Sequence, residues 1–193
     1  MFLDLVKKSR SFRGFNENRK VTREELEYLV ECARFAPSYS NIQALKFFLA
    51  WEPETVGTIR PLTNWAKALK DIQLPHPGKD PTAFIVICQD YEVNDSPAMF
   101  QKDVGIAAQT MLLAAADMGL GGCMIGNFPA GALREALKLP KTIAPMLVVA
   151  LGEPDDQVVL TELPDSGATQ YYRDENDVHY VPKRPLEQLI LNR

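Results

Sequence analysis

Residues 103–128, DVGIAAQTMLLAAADMGLGGCMIGNF, determine how the rest of the chain can be arranged. The stretch opens with a long run of apolar and small residues, which predicts a helix that ends at Gly119. CMIG follows almost at once and predicts a strand. Small side chains on the helix would let neighbouring helices approach closely; they are Gly105, Ala107, Ala108, Ala114, Ala115 and Ala116.

The glycines of GLGGCMIGN superficially suggest a phosphate-binding loop. In a Rossmann turn or a P-loop, however, the glycine-rich turn follows a strand and opens a helix. Here the order is reversed, because the glycines follow a helix and lead into a strand. We therefore interpret Gly119 as the cap of the helix and exclude both nucleotide-binding motifs.

The flanking segments predict a layered fold of helices and strands. Strands are expected in LKFFLAW (45–51), TAFIVICQD (82–90) and APMLVVALG (144–152), and the last two contain continuous apolar runs, as in a sheet covered on both faces. Helices are expected in FLDLVKKS (2–9), VTREELEYLVECARFAP (21–37), PETVGTIRPLTNWAKALKDI (53–72, broken at Pro61) and ALREALKL (132–139). Thr22 and Glu25 form a capping-box pattern. A sandwich follows, with a central sheet and helices on both faces.

Composition limits the possible classes of function. The 193 residues suit one domain, 1–193, in which 153–193 is polar and irregular at first and then forms an arm that is expected to pack on a partner subunit. The net charge of −4, without a basic run, argues against nucleic acid and against an anionic membrane as main partners. Cys32, Cys88 and Cys123 lack metal-like spacing, as do the two histidines, so we expect reduced thiols, no metal and a cytoplasmic location. The N-terminus does not resemble a signal peptide.

The sequence contains no nucleophile–base pair and no pair of carboxylates suited to acid–base catalysis. An enzyme of this kind often leaves its chemistry to an organic cofactor. Candidate cations for a cofactor phosphate are Arg10 and Arg13, with Ser11 between them, and Lys183 with Arg184. A loop with Ser38, Ser40, Asn41 and Gln43 could meet the edge of a heterocycle. A solvated helix end and an ordinary turn remain the alternative interpretations of these two stretches.

Taken together, these segments resemble the nitroreductase family of FMN-dependent NAD(P)H oxidoreductases. SRSFRGF (9–15) resembles the family's N-terminal Arg-Arg-Ser-x-Arg-x-Phe signature. APSYSNIQALKFF (36–48) resembles its Ala-Pro-Ser-x-x-Asn-x-Gln-Pro-Trp-x-Phe stretch. Residues 103–128 resemble its central helix, turn and strand. LVVALGEPDD (147–156) and KRPLEQLI (183–190) resemble its last core strand and C-terminal element.

The resemblance implies an α+β sandwich with a mostly antiparallel sheet, in an intertwined homodimer with two FMN sites at the interface. It assigns the phosphate to Arg10 and Ser11, helped by Lys183 and Arg184, and the pyrimidine end of the flavin to Arg13. It implies that the backbone N–H of Gly126 meets the hydride-accepting nitrogen, beside Ile125 and Asn127. Four contacts are expected from the other subunit: Pro37, Ser38, Asn41 and Gln43.

The chain departs from the family pattern at two places. The first arginine of the signature is Ser9, and the Pro-Trp after the glutamine is Ala44-Leu45. In the region 54–81, which often shapes the family's substrate pocket, Thr63 and Asn64 are candidate lining residues.

The implied activity is reduction of a nitroaromatic, a quinone or another electron-poor acceptor by NADH or NADPH, with ping-pong kinetics. Alternatives within the family are reductive dehalogenation, enoate reduction and flavin cleavage. A non-catalytic flavin-binding or flavin-storage protein is the alternative outside enzymes.

Overall fold

A computed structural model describes residues 1–66, 68–69 and 72–192. Five helices and seven strands occur in these ranges. The helices are α1 (Phe2–Lys8), α2 (Arg23–Arg34), α3 (Pro53–Ile59), α4 (Pro97–Asp117) and α5 (Ala130–Ala136). The strands are β1 (Leu45–Ala50), β2 (Ala83–Asp90), β3 (Gly121–Ile125), β4 (Ile143–Gly152), β5 (Val158–Glu162), β6 (Tyr172–Arg173) and β7 (His179–Lys183). Short 3₁₀ turns cover Tyr39–Asn41, Arg60–Leu62 and Leu186–Gln188.

The central sheet has the order β1-β2-β4-β3, and every neighbouring pair is antiparallel. Its two faces carry separate apolar cores, because successive side chains of a strand point to opposite faces. Ile85 and Ile87 of β2 pack with α2 and α4 on one face, whereas Phe84 and Val86 pack with α3 and α5 on the other. All eight residues of β2 are buried, as the apolar run Ala83–Cys88 predicted, and the polar Gln89 and Asp90 at its end are buried with it. The expected sandwich is therefore confirmed.

Helix α4 ends as the sequence predicted but begins earlier. Gly119 has a φ of +79°, and Leu120 donates its N–H to the carbonyl of Ala115 at 2.8 Å in a Schellman arrangement. At the other end the helix extends six residues before Asp103, to Pro97. Proline suits the first turn of a helix, where its missing N–H would have no partner.

The segment after α1 is extended rather than helical. Helix α1 ends at Lys8, Ser11 forms a parallel bridge with Gly122, and the N–H of Phe12 donates to the Gly122 carbonyl at 3.1 Å. A Cβ on Gly121 would collide with the ring of Phe12, so only glycine permits this approach. The N-terminal segment is thus fixed alongside β3, at the edge of the central sheet.

The C-terminal segment was expected to be irregular from residue 153 to 182, and this was wrong. Strands β5, β7 and β6 form a second sheet, in which β7 pairs in parallel with β5 and antiparallel with β6. The expectation rested on the polar composition, but alternating apolar side chains such as Val158, Leu160 and Val181 need only one covered face. Packing of 153–193 on a partner subunit stays a prediction.

The helix expected over 53–72 is only partly observed. Helix α3 and the 3₁₀ turn cover Pro53–Leu62, and Thr63–Ala66 has no regular structure. Pro61 lies inside the 3₁₀ turn, close to the predicted break. The expected helical residues 67, 70 and 71 lie outside the described residues.

Candidate functional site

The extended N-terminal segment places Arg10, Ser11 and Arg13 at one cavity of about 180 Å³. Strand β7 forms the opposite side of this cavity with His179, Val181 and Lys183, and Val158 and Tyr171 complete the lining. Two predicted cation groups that are about 170 residues apart in sequence therefore meet. We call this cavity the anion cavity, since three of its lining side chains are cationic.

A second cavity of about 140 Å³ begins where the anion cavity ends, because Arg13 and Tyr171 line both. The end of β3 supplies Ile125, Gly126 and Asn127, the three residues that the resemblance assigns to the surroundings of the flavin ring. A Cβ added at Gly126 would meet no atom within 4 Å, so the backbone there faces open space. We call the second cavity the ring cavity, and the two together the Arg13 groove.

Asn64 was one of two candidates from the region 54–81, and it lines the ring cavity beside Trp65 and Ala66. Its backbone N–H and its side-chain amide both donate to the carbonyl of Asn127, at 3.0 and 3.2 Å. Thr63 does not line this cavity. Its hydroxyl is buried and donates to the Arg60 carbonyl at 2.7 Å.

Residues of the C-terminal segment fix the position of Arg13. Its backbone N–H donates to Asp156 at 2.8 Å, and its guanidinium carbon lies 5.0 Å from the centre of the Tyr171 ring. One guanidinium nitrogen lies 3.5 Å from Nδ1 of His179. Both carboxylate oxygens of Asp156 also accept hydrogen bonds, at 3.0 Å each, from one guanidinium nitrogen of Arg173. The side chains of Asp156 and Arg173 are each 2% exposed, so this ion pair is buried.

Two polar atoms beside the anion cavity are buried without a partner in the part of the chain that the structure describes. They are Nε of Arg10 and Nε2 of His179. Burial lowers the pKa of Arg10, which still leaves a guanidinium charged near neutral pH. Burial and the nearby positive charges of Arg13 and Arg173 lower the pKa of His179 to about 4. His179 is therefore neutral near pH 7.

The loop with Pro37, Ser38, Asn41 and Gln43 does not reach the Arg13 groove of its own chain. Pro37, Ser38 and Gln43 line a separate, mainly apolar cavity of about 260 Å³ between α2, β1 and α4. Asp103 of α4 holds this loop, because both its carboxylate oxygens accept the N–H of Tyr39, at 2.9 and 3.1 Å. Ser40, Asn41 and Gln43 have positive φ angles of 47°, 57° and 56°. Such backbone is costly for residues with side chains and often marks functional loops.

Of the remaining positions named from the sequence, one lines the Arg13 groove and the others lie outside it. Lys183 lines the anion cavity, whereas Arg184 lines a different cavity next to residues 162–167 and 185–188. The hydroxyl of Ser9 donates to the Leu112 carbonyl at 3.3 Å. Ala44 is buried, and Leu45 lines the cavity beside α4.

Sequence reasoning missed Tyr171, His179, Asp156 and Trp65 as parts of the groove or its support. A signal was available in the cluster YYRDENDVHY (171–180), where aromatic and charged residues are concentrated in a supposedly irregular tail. Nothing in the local pattern shows, however, that β7 returns to the N-terminal segment.

The three thiols form no disulfide: Cys88 and Cys123 are buried and Cys32 is half-buried. Burial raises the pKa of the Cys88 thiol to about 12 and that of Cys123 in the same direction, so neither is a ready nucleophile. Among the described residues, no group of His, Cys, Asp or Glu side chains is placed to hold a metal ion. Within the same residues, no helix combines the length and the apolar character needed to cross a membrane.

Comparisons with known proteins agree with this architecture. The sequence model described as "Nitroreductase family" matches residues 6–153. An Archaeoglobus fulgidus protein, provisionally named NADH dehydrogenase/NAD(P)H nitroreductase, is 29% identical over 168 residues, which cover 84% of this chain and 91% of the relative. FMN reductase (NADPH) of Bacillus subtilis is 27% identical over 172 residues, covering 79% of this chain and 65% of the relative.

A solved structure from Exiguobacterium sibiricum shares the fold with a TM-score of 0.69 at 19% identity, covering 89% of this chain and 97% of that one. That protein is provisionally named as a nitroreductase and was crystallised in complex with FMN.

Proposed function

This chain belongs to the nitroreductase family, and on that basis we propose that it is an FMN-dependent oxidoreductase that takes electrons from NADH or NADPH and passes them to electron-poor acceptors. One observation carries the proposal. The Arg13 groove joins a cationic cavity to a cavity lined by backbone and aromatic groups, which matches a flavin with a phosphate at one end.

The groove also passes a test of chemical fit. Arg10 has a buried N–H without a partner in the described chain, so it needs an acceptor. Arg10, Ser11 and Lys183 would bind the phosphate of FMN by charge-assisted hydrogen bonds. Arg184 would assist only from outside the cavity in which the other three lie.

Bound FMN would supply hydride acceptance and donation. Around the ring, Arg13 would place a positive charge at the pyrimidine end and so favour the negative charge of the reduced state. Gly126 would offer its backbone N–H with no side chain to obstruct the ring, and Ile125 and Asn127 would flank it. The protein would thereby orient the ring and adjust its affinity for electrons.

Nitroaromatic compounds and quinones are the proposed acceptors, and nicotinamide and acceptor would use the same space in turn. Trp65 and Tyr171 border the ring cavity and would give flat apolar surfaces to a planar acceptor. Since one space serves both substrates, ping-pong kinetics are expected.

We also propose that the working form is a homodimer in which Pro37, Ser38, Asn41 and Gln43 complete the partner's Arg13 groove. Two observations support this. The loop lines a cavity separate from the groove of its own chain. Large apolar side chains are exposed on α1 and α4, among them Phe2, Leu3, Met99 and Ile106. Such exposed apolar surface is typical of an interface between subunits.

The test begins with the purified protein and its released chromophore. Mass analysis should identify FMN and not FAD, since the groove has one cationic end for a single terminal phosphate. Anaerobic addition of NADH or NADPH should bleach the flavin absorbance, and a quinone or a nitroaromatic should restore it. Initial rates at several concentrations of both substrates should give parallel double-reciprocal lines.

Absence of flavin, or presence of FAD, would contradict the proposed cofactor. Tight FMN binding without bleaching by either nicotinamide would instead indicate the flavin-binding or storage alternative.

A further inference from the structure

His179 is part of the anion cavity but comes from the C-terminal segment, outside the residues 6–153 that match the family. It lies at the start of β7 and is 1% exposed. Its backbone N–H donates to the Gln157 carbonyl at 2.8 Å, which fixes the strand next to β5. The ring of Tyr171 packs edge-on against the imidazole, with centroids 5.2 Å apart. The side chain is therefore held in one orientation.

The contact with Arg13 favours one of the two tautomers of His179. A guanidinium has only donors, so the Arg13 nitrogen, 3.5 Å away, favours the tautomer in which Nδ1 of His179 is the acceptor. A neutral imidazole that accepts at Nδ1 carries its hydrogen at Nε2. The low pKa of His179 agrees with the neutral form.

The resulting Nε2–H is a buried donor without an acceptor among the described residues. Leaving such a donor unpaired is costly, so a fold rarely retains one without use. Arg10 presents a second unpaired donor, Nε–H, beside the same cavity. Two unpaired donors and the ammonium of Lys183 together suit a ligand group with several acceptor oxygens, as in a phosphate monoester.

We propose that the Nε2–H of His179 donates a hydrogen bond to a phosphate oxygen of the bound flavin mononucleotide, so that the C-terminal segment completes the phosphate site. This inference rests on the proposed function. The phosphate is the acceptor, rather than the flavin ring, because His179 lines the cavity with Arg10, Ser11 and Lys183 and not the cavity with Gly126. Arg13 sets the tautomer and thereby makes the donor available.

The test compares FMN with riboflavin, which lacks the phosphate, on two matched variants. In His179→Gln the longer amide can place an N–H near the position of Nε2. In His179→Asn the amide is one methylene shorter and reaches only the position of Nδ1. Flavin-free protein is titrated with each flavin, and quenching of flavin fluorescence gives the dissociation constants. Tyr180→Phe is the control, since the Tyr180 hydroxyl donates to Asp174, just after β6, and Tyr180 does not line the anion cavity.

His179→Asn should weaken FMN binding about ten- to a hundredfold, as expected for a hydrogen bond to a charged group, and should leave riboflavin binding within about twofold. His179→Gln should recover most of the FMN affinity, and Tyr180→Phe should match the wild type with both flavins. Unchanged FMN affinity in His179→Asn, or equal losses for both flavins, would overturn the inference.

A measurement on the unmodified protein keeps the test valid if the variants fold poorly. Proton–nitrogen NMR of the imidazoles should show Nε2 of His179 protonated, with His76→Gln assigning the second histidine. Its Nε2–H resonance should shift on addition of FMN and stay in place with riboflavin. The opposite tautomer, or equal shifts with both flavins, would refute the phosphate contact. A wild-type protein that binds no FMN would contradict the proposed function itself, and this inference with it.

Discussion

Asp156 accepts the backbone N–H of Arg13 at 2.8 Å while its carboxylate forms a buried ion pair with Arg173. The C-terminal sheet thus determines where the N-terminal cation lies. Arg173 also reaches the carboxylate of Asp177 at 2.9 Å, which closes a small network around it. The shape of the Arg13 groove depends on this network. Among the residues described, Asp156 is the charged group that accepts the backbone N–H of Arg13 and so fixes its position.

Replacing Arg173 with methionine should destabilise the fold strongly. The change leaves the carboxylate of Asp156 buried without its cation, and breaking a buried ion pair in this way costs about 3–5 kcal/mol. Urea unfolding followed by tryptophan fluorescence gives the loss in unfolding free energy. Arg34→Met is the matched control, since the Arg34–Glu31 pair is more than half exposed and solvent screening leaves such a pair little effect on stability. A loss for Arg173→Met no larger than that of the control would contradict the prediction.

The low pKa of His179 predicts how stability responds to acid. Burial and the charges of Arg13 and Arg173 lower this pKa to about 4, and Asp156 and Asp177 only partly oppose the shift. In the unfolded chain the histidine takes up its proton near pH 6.5. Between pH 6.5 and 4 the unfolded state therefore binds more protons, so His179 lowers the unfolding free energy as the pH falls.

Glutamine does not titrate in this pH range, so the His179→Gln variant should not show the loss of unfolding free energy that the histidine causes on acidification. The unfolding free energy of the variant should gain on the wild type by about 3 kcal/mol between pH 7 and pH 4, and the difference should level off about one pH unit lower, where the folded wild type is protonated as well. Tyr180→Phe keeps the histidine, so its pH curve should run parallel to that of the wild type. Parallel curves for wild type and His179→Gln would show that the pKa of His179 is not lowered in the fold.

The layered fold could be predicted because its signals are local. The unbroken apolar run of β2, the capping box at Thr22 and the glycine after α4 each specify an element through contacts within a few residues. The cation pair Arg10 and Arg13 was a candidate from its own spacing, whereas only the resemblance pointed to the end of β3. Their meeting in one groove depends on the bridge between Ser11 and Gly122, which no local pattern reveals.

The C-terminal sheet could not be predicted because what stabilises it is not local. Strand β7 pairs in parallel with β5 across the connection 163–178, which contains β6, and parallel pairing has no hairpin signal. Charged residues such as Asp156 and Arg173 normally indicate exposed positions, yet here they neutralise each other in the interior. The sequence therefore predicted a polar tail, whereas this segment forms one side of the candidate site.

Replacing Arg10 with alanine should weaken FMN binding about ten- to a hundredfold, because hydrogen bonds to charged groups contribute roughly 1.5–3 kcal/mol each. Fluorescence titration of the flavin-free protein measures the effect. Lys8→Ala removes a nearby exposed charge that lines no described cavity of the groove, and its affinity should stay within about twofold of wild type. Equal affinities for Arg10→Ala and wild type would refute the assignment of Arg10 to the phosphate.

Replacing Arg13 with alanine should change the reduction of bound flavin more than its binding. The guanidinium lies where the anion cavity meets the ring cavity, so its loss removes positive charge from the ring rather than a contact to the phosphate alone. The flavin midpoint potential should become more negative, which spectroelectrochemistry measures. An unchanged potential in Arg13→Ala would show that this cation does not act on the ring.

A site shared between two chains can be tested in a mixed dimer, in which each chain carries a different substitution in the proposed site. Arg10→Ala removes a proposed phosphate contact, and the pair Asn41→Ala and Gln43→Ala removes proposed contacts from the loop that lies away from its own groove. If each site combines the groove of one chain with the loop of the other, a mixed dimer has one site with both defects and one with neither. Each parent homodimer has one kind of defect in both of its sites.

The two variants should be co-expressed with different tags, and the mixed dimer isolated by successive purification on both tags. It should hold about half the flavin and show about half the activity of the wild type, while both parents stay weak. Two differently tagged wild-type chains, purified in the same way, give the reference value. If groove and loop of the same chain formed the site, every site in the mixed dimer would carry a defect, and its activity would stay at the average of the two parents. A protein that is monomeric at micromolar concentration would equally exclude the shared site.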